Sequence, residues 1–204
     1  MTHKFDPINK TKLDNEWRRQ NLPPIQTLEK LGLMPSDVVA DIGCGTGYFS
    51  VPAAEMLTNR NKVFALDTSD EMLAEVEKRV LVAGVSNVVA INTEEYDLKL
   101  PDDSITVALL VNVLHEIEDK QRFIREVNRV LKPEGRILII EWKKEIMEMG
   151  PKITHRIGSE EAVELFNSDG FSLSKEMQFA GVFYGLVFLK DEVRVDVYKT
   201  YKRE

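Results

Sequence analysis

Cysteine is nearly absent. Cys44 is the single one in 204 residues, so no intrachain disulfide framework holds the chain together. The three histidines are scattered, and no Cys/His cluster shows zinc-ligand spacing, which excludes a zinc-finger type of fold. No apolar run approaches the roughly 20 residues needed to cross a bilayer. The first residues are polar and charged, unlike a secretory signal, so a reducing, cytoplasmic setting is the expectation. Excess positive charge is also missing. A net charge of −7 argues against bulk nucleic-acid binding, which favours a basic footprint. There is no internal repeat and no low-complexity segment, and nothing in the sequence speaks to oligomeric state.

What is present fits one globular domain with a good-sized core. Hydrophobic residues make up 43% and charged residues 30%, an ordinary soluble balance. Short apolar runs alternate with amphipathic stretches. The runs are Val38–Ile42, Val63–Leu66, Val88–Ile91, Ile105–Val111 and Ile137–Ile140. None shows the polar alternation of a half-exposed strand, so both faces of a largely parallel sheet are expected to be covered. Between them, helical periodicity covers residues 48–57, 69–83 and 119–131. Ser159 is the expected cap of a further helix through Asn167. Phe171–Phe179 and Val182–Leu189, joined through Ala180-Gly181, read as an antiparallel hairpin. The expected fold class is α/β, a doubly wound, mostly parallel sheet with that hairpin at its C-terminal side.

The chemistry is concentrated after the first run. Asp41 is followed by Gly43, Gly45 and Gly47, and a helix follows them. Glycine tolerates positive φ and has no Cβ to hold a ligand off the backbone. A helix start offers unpaired N–H groups to an anion. Taken alone, this is equally a glycine-rich turn without a ligand. Asp67 ends the second run about 20 residues beyond the loop, the place from which an acid holds ribose hydroxyls in nucleotide-binding α/β folds. Thr68 and Glu71 form a Thr-x-x-Glu capping box, which explains those two residues without a ligand.

The dinucleotide fingerprint is G-x-G-x-x-G, and here the third glycine comes one place early. Asp41-x-Gly43-x-Gly45-x-Gly47 instead resembles motif I of the class I S-adenosylmethionine-dependent methyltransferases. The stretch Leu100-Pro101…Leu114-His115-Glu116 resembles a second block of that superfamily, with Thr106 in place of its usual Asp. Arg129-Val130-Leu131-Lys132-Pro133-Glu134-Gly135 resembles a third, with Glu134 where a glycine is common. The resemblance runs from about Lys30 to Leu189, and the chain resembles the ubiquinone/menaquinone-biosynthesis type.

The resemblance implies a Rossmann-like methyltransferase fold with a seven-stranded sheet and S-adenosylmethionine as cofactor. Asp41, Gly43, Gly45 and Gly47 would wrap its methionine part. Asp67 would sit at the ribose, Thr68 would join the cofactor contacts and Met72 would lie over the adenine, with Glu94 or Glu95 at the adenine amino group. Asn112 would touch the methionine moiety through its backbone. Each has a plainer alternative: Met72 as core, the glutamates as solvated loop acids. His115 is either a base or a satisfied structural histidine. Glu141, at the end of the fifth run, either lines the substrate site or is a strand-end acid in water; these two are the catalytic candidates. Residues 1–32 would form a helical lid or arm, 33–190 the methyltransferase domain, and 191–204 a tail. Residues 143–158 could close over the substrate.

The expected function is methyl transfer to a small-molecule acceptor, without a metal. The alternatives are an NAD-dependent oxidoreductase on the same architecture, or a protein that binds S-adenosylmethionine without turnover.

Overall fold

The computed structural model describes residues 13–58 and 61–191. Residues 1–12 of the expected lid or arm, Asn59-Arg60 and most of the expected tail lie outside the described residues. The elements run α1 (Glu16–Asn21), α2 (Pro24–Leu31), β1 (Val39–Ile42), α3 (Ser50–Met56), β2 (Val63–Asp67), α4 (Asp70–Ala83), β3 (Val88–Asn92), β4 (Ile105–Val111), α5 (Lys120–Val130), β5 (Leu131–Trp142), α6 (Ser159–Ser168), β6 (Phe171–Phe179) and β7 (Phe183–Lys190). They build a seven-stranded sheet in the order β3-β2-β1-β4-β5-β7-β6. Strands β1 to β5 are parallel, and β7 runs antiparallel to both β5 and β6.

Alternate residues of each central strand feed opposite layers, as strand geometry requires. Ala40, Ile42, Ile137 and Ile139 pack with Phe123, Ile124 and Val127 of α5 and Phe166 of α6. Val39, Leu138 and Ile140 pack on the other face with Leu28 and Leu31 of α2 and Phe49 and Ala53 at α3. Helix α2 is thus part of this core. The expectation that both faces are covered holds for β1, β4 and β5. It fails for β3, whose apolar residues are only partly buried because β3 is the sheet edge.

The family blocks explain themselves as ties. Arg129 grips both oxygens of Glu126 and reaches the Leu100 carbonyl and Asp102, joining α5 to the Leu100-Pro101 turn. Thr106 donates its hydroxyl to Asp37 at 3.0 Å and accepts from the Val38 amide, a structural job. Glu134 occupies the left-handed region at φ 62°, where a glycine would be unstrained. The hairpin turn has positive φ at both Ala180 (49°) and Gly181 (71°), the geometry that suits twisted antiparallel strands.

Two expected caps shift by one residue. Ser69, not Thr68, accepts from the Met72 amide, because Asp67 completes β2 and its carboxylate takes the Ser69 amide. Gly158 is the N-cap of α6, so Ser159 is its first helical residue.

Candidate active site

The sheet order reverses between β1 and β4, and ligands in such folds bind beyond the carboxyl ends of the strands at that point. A cavity of about 1030 Å³ opens there. Small-molecule sites span roughly 300–1,000 Å³, so this one has room for two ligands together. Its walls are the chain segments leaving β1, β2, β3 and β4, the end of β5, helix α1 and residues 148–151.

The floor is the glycine loop. Gly43, Gly45 and Gly47 all have positive φ (68°, 53° and 78°). Gly43 and Gly45 line the cavity. Gly47 does not; it packs against α4, where a Cβ would lie 3.2 Å from Val76. Asp41 is 3% exposed and accepts a hydrogen bond from Ser50 Oγ at 2.5 Å. Burial, with the nearby charge of Asp67, pushes its pKa up to about 7 against the pull of Ser50 and Arg18. Asp67 is raised too, chiefly by burial, while the amides it accepts from hold it back. Cys44 also lines the cavity, but burial pushes its thiol well up, so it is no nucleophile at neutral pH.

Thr68 and Met72 line the same cavity, and Met72 is buried as well. Glu94 and Glu95 both reach it. Glu94 is exposed and pairs with Lys99 at 3.3 Å, whereas Glu95 accepts from the Glu118 amide at 3.1 Å. Asn112 sits at the tip of β4 at φ 58°, a conformation asparagine adopts more readily than most. Its N–H is already given to the Ile140 carbonyl at 2.8 Å. The expected backbone contact would therefore have to come from its carbonyl.

His115 lines the cavity and Glu141 does not. Glu141 is 1% exposed and lies behind the ring, with Oε2 2.8 Å from His115 Nδ1 and Oε1 3.3 Å from the His115 amide. Neither plain alternative for Glu141, pocket wall or acid in water, matches this placement. The carboxylate fixes the proton on Nδ1, and Nε2 lies 3.8 Å from Glu116 Oε1. Burial alone would depress the imidazole, but the Glu141 charge and hydrogen bond outweigh it and raise the pKa.

Further side chains escaped the reading of the sequence. Arg18 Nε, Thr46 Oγ1 and both amide atoms of Asn112 are buried without a hydrogen-bond partner, and all three residues line this cavity. Buried polar atoms are nearly always paired, so orphans gathered on one cavity mark a place for a polar ligand. Thr46 was open to notice, as a polar residue between two loop glycines. Arg18 gave no signal, since its position depends on how α1 docks. Arg156 gave none either. It is 4% exposed and donates to the carbonyls of Lys143, Glu145, Met149 and Pro151, holding the irregular stretch whose residues 148–151 form one wall. Trp17 of α1 stacks on Trp142 at 6.0 Å and 8°, and Phe183 lies 4.3 Å from Trp142, giving that side an aromatic lining.

The orphaned donors and acceptors, the two carboxyls and the Cβ-free loop fit a polar nucleoside carrying an amino-acid end. Among the described residues no group of three or more His, Cys, Asp or Glu could hold a metal ion, and no helix is long and apolar enough to cross a membrane.

Residues 40–139 match the family model described as "Methyltransferase domain". The protein named ubiquinone/menaquinone biosynthesis C-methyltransferase UbiE of Shewanella oneidensis is 30% identical over 128 residues, covering 62% of this chain and 51% of that protein. Its namesake from Teredinibacter turnerae is 31% identical over 119 residues, covering 58% and 48%. The chain thus spans about half the length of the curated relatives it matches. Among solved structures, a SAM dependent methyltransferase from Aquifex aeolicus superposes with a TM-score of 0.87 at 28% identity, covering 92% of this chain and 100% of that one. The PH0226 protein of Pyrococcus horikoshii gives 0.74 at 18% identity, covering 92% and 100%, a likeness of fold.

Proposed function

We propose that the chain is a class I S-adenosylmethionine-dependent methyltransferase that moves a methyl group from S-adenosylmethionine to a small, ring-bearing acceptor. The observation that carries the reading is the set of orphaned polar atoms of Arg18, Thr46 and Asn112 on the cavity at the β1/β4 reversal. The printed names of the relatives, C-methyltransferases of quinone biosynthesis, and the aromatic lining by Trp17 and Trp142 support a ring on the acceptor.

In this reading Asp41, Gly43, Gly45, Thr46 and Asn112 hold the amino-acid end of the cofactor. Gly47 supports the loop from behind. Asp67 and Thr68 meet the ribose, and Met72 with Glu94 or Glu95 bounds the adenine. When bound, the cofactor supplies an electrophilic methyl group on a sulfonium centre. The chain's own work is to align the acceptor with it and to exclude water. Alignment of this kind lowers a barrier by about 7–11 kcal/mol at best. Residues 148–151, held by Arg156, and the Trp17–Trp142 stack close the acceptor side. His115 Nε2 accepts the proton that the acceptor gives up, and Glu141 holds the ring in the tautomer that can do so.

Two experiments test the proposal. Thermal-shift scans with S-adenosylmethionine, S-adenosylhomocysteine and NAD should show stabilisation by the first two and not the third. S-adenosylhomocysteine release should then appear with members of a panel of phenols and quinols. Stabilisation by NAD alone overturns the assignment. Cofactor binding with no release on a broad acceptor panel favours a binding protein without turnover.

A further inference from the structure

Helix α1 borders the cavity through Trp17 and Arg18. None of its residues is fully buried. It is tied down at its edges by the Trp17–Trp142 stack, by Asp14 to Arg79 at 2.7 Å, and by the Tyr48 hydroxyl donating to the Leu22 carbonyl at 3.0 Å. Yet it carries Arg18, whose guanidinium lies 5.0 Å from the Tyr48 ring centre and 6.0 Å from that of Phe49, directly after the glycine loop. Its Nε is sealed from solvent with no hydrogen-bond acceptor. Burial pulls its pKa down, outweighing the charges of Asp14 and Asp41 that act to raise it. Leaving a charged donor unpaired in a protein interior is costly, and an anionic ligand would remove that cost.

We propose that Arg18 is the receptor for the carboxylate at the amino-acid end of the cofactor, and that this contact pins helix α1 over the bound nucleoside. The inference rests on the reading of the cavity given above. A guanidinium suits a carboxylate because two parallel N–H donors meet two oxygens. The orphaned Thr46 hydroxyl lines the same cavity and supplies a further donor. Arg18 stands among Tyr48 and Phe49 rather than with Met149 and Gly150 on the acceptor wall, so the cofactor's carboxylate is the one it meets. Binding energy from a contact so far from the transferred methyl is then used to order a lid.

The test uses calorimetry on the full chain with S-adenosylhomocysteine and with 5′-methylthioadenosine, which keeps the nucleoside and thioether but lacks the amino-acid end. The wild-type chain should prefer S-adenosylhomocysteine. R18M, which keeps the apolar stem, should lose on the order of 10–100-fold in S-adenosylhomocysteine affinity and leave methylthioadenosine unchanged. R18K should fall between, keeping charge without the planar fork. Hydrogen exchange over residues 14–22 should slow on S-adenosylhomocysteine binding in wild type and not in R18M. Equal weakening of both nucleosides in R18M and R18K would make Arg18 a packing residue only and overturn the inference. So would unchanged S-adenosylhomocysteine affinity in R18M. If the wild-type chain bound neither nucleoside, the cofactor assignment itself would fail, a result distinct from either.

Discussion

Oδ2 of Asp67 accepts a hydrogen bond from the Gly45 amide at 2.9 Å, while Oδ1 accepts from the Ser69 amide at 2.9 Å. One side chain at the tip of β2 thus holds the glycine loop in place and starts α4. A carboxylate has about four lone-pair sites, so two remain for ribose hydroxyls. Asp67→Ala is expected to lower S-adenosylhomocysteine affinity at least 10-fold and also to cost about 1–3 kcal/mol of stability, since it strands two backbone donors. Calorimetry and urea melts measure the two effects. Unchanged affinity would remove Asp67 from the site.

Asp41 makes a second, opposite prediction for stability. Its folded pKa of about 7 lies above the ordinary aspartate value of 3.8, so the folded chain holds a proton that the unfolded chain has released between those values. Its contribution is therefore a cost: absent below pH 4, growing through the window up to 7, and complete above it. Asp41→Asn should raise stability at pH 8 by ~2–4 kcal/mol, with the gain fading as pH falls toward 4. The same substitution should weaken binding of the cationic cofactor and abolish the loss of its affinity between pH 8 and 6. Melts that show no pH-dependent gain would contradict the buried, raised carboxyl.

His115 and Glu141 predict a pH profile. The groups acting on the ring are Glu141, Glu116 and Lys120, and together with burial they leave its pKa above 6.5. A base must be unprotonated, so turnover should rise with pH through a limb above the ordinary histidine value. Glu141→Gln removes the main charge that raises the pKa and should move that limb to lower pH while slowing the reaction. His115→Gln should cost about 10²–10⁴-fold in kcat with little change in cofactor affinity. The stability sign runs the other way: the His115–Glu141 tie stabilises fully below pH 6.5 and is lost as pH rises through the folded pKa. A flat profile in wild type would assign His115 a structural role.

The covered, mostly parallel sheet could be read because β1, β4 and β5 are apolar on both faces and because acids mark the strand tips, whereas the order of its strands could not. The glycine loop could be read because positive φ at Gly43, Gly45 and Gly47 needs that residue. The role of Gly47 was less legible, since spacing alone does not tell a glycine facing a ligand from one facing Val76. Arg18 and Arg156 were hidden for another reason. Each acts through long-range docking: Arg18 by where α1 lies on the cavity, Arg156 by gathering carbonyls from residues 143–151. Neither depends on periodicity or spacing. Glu141 was visible as a strand-end acid, but its burial behind His115 required the β4/β5 register.

Glu134 offers a check on backbone reasoning that leaves the site untouched. It is exposed and sits at φ 62° beside Gly135. Glu134→Gly should raise stability by about 0.5–1 kcal/mol, because a left-handed non-glycine residue costs more than the added freedom of the unfolded chain. Chemical denaturation measures this, and a loss of stability would contradict it.

The central claim is that the cavity at the β1/β4 reversal seats a sulfonium nucleoside. Calorimetric titration with S-adenosylhomocysteine, beside NAD as the competitor chemistry, tests it most directly. The account predicts saturable heat at one molecule per chain for S-adenosylhomocysteine, weakened in Asp67→Ala, and none for NAD. Heat with NAD and none with S-adenosylhomocysteine would contradict it.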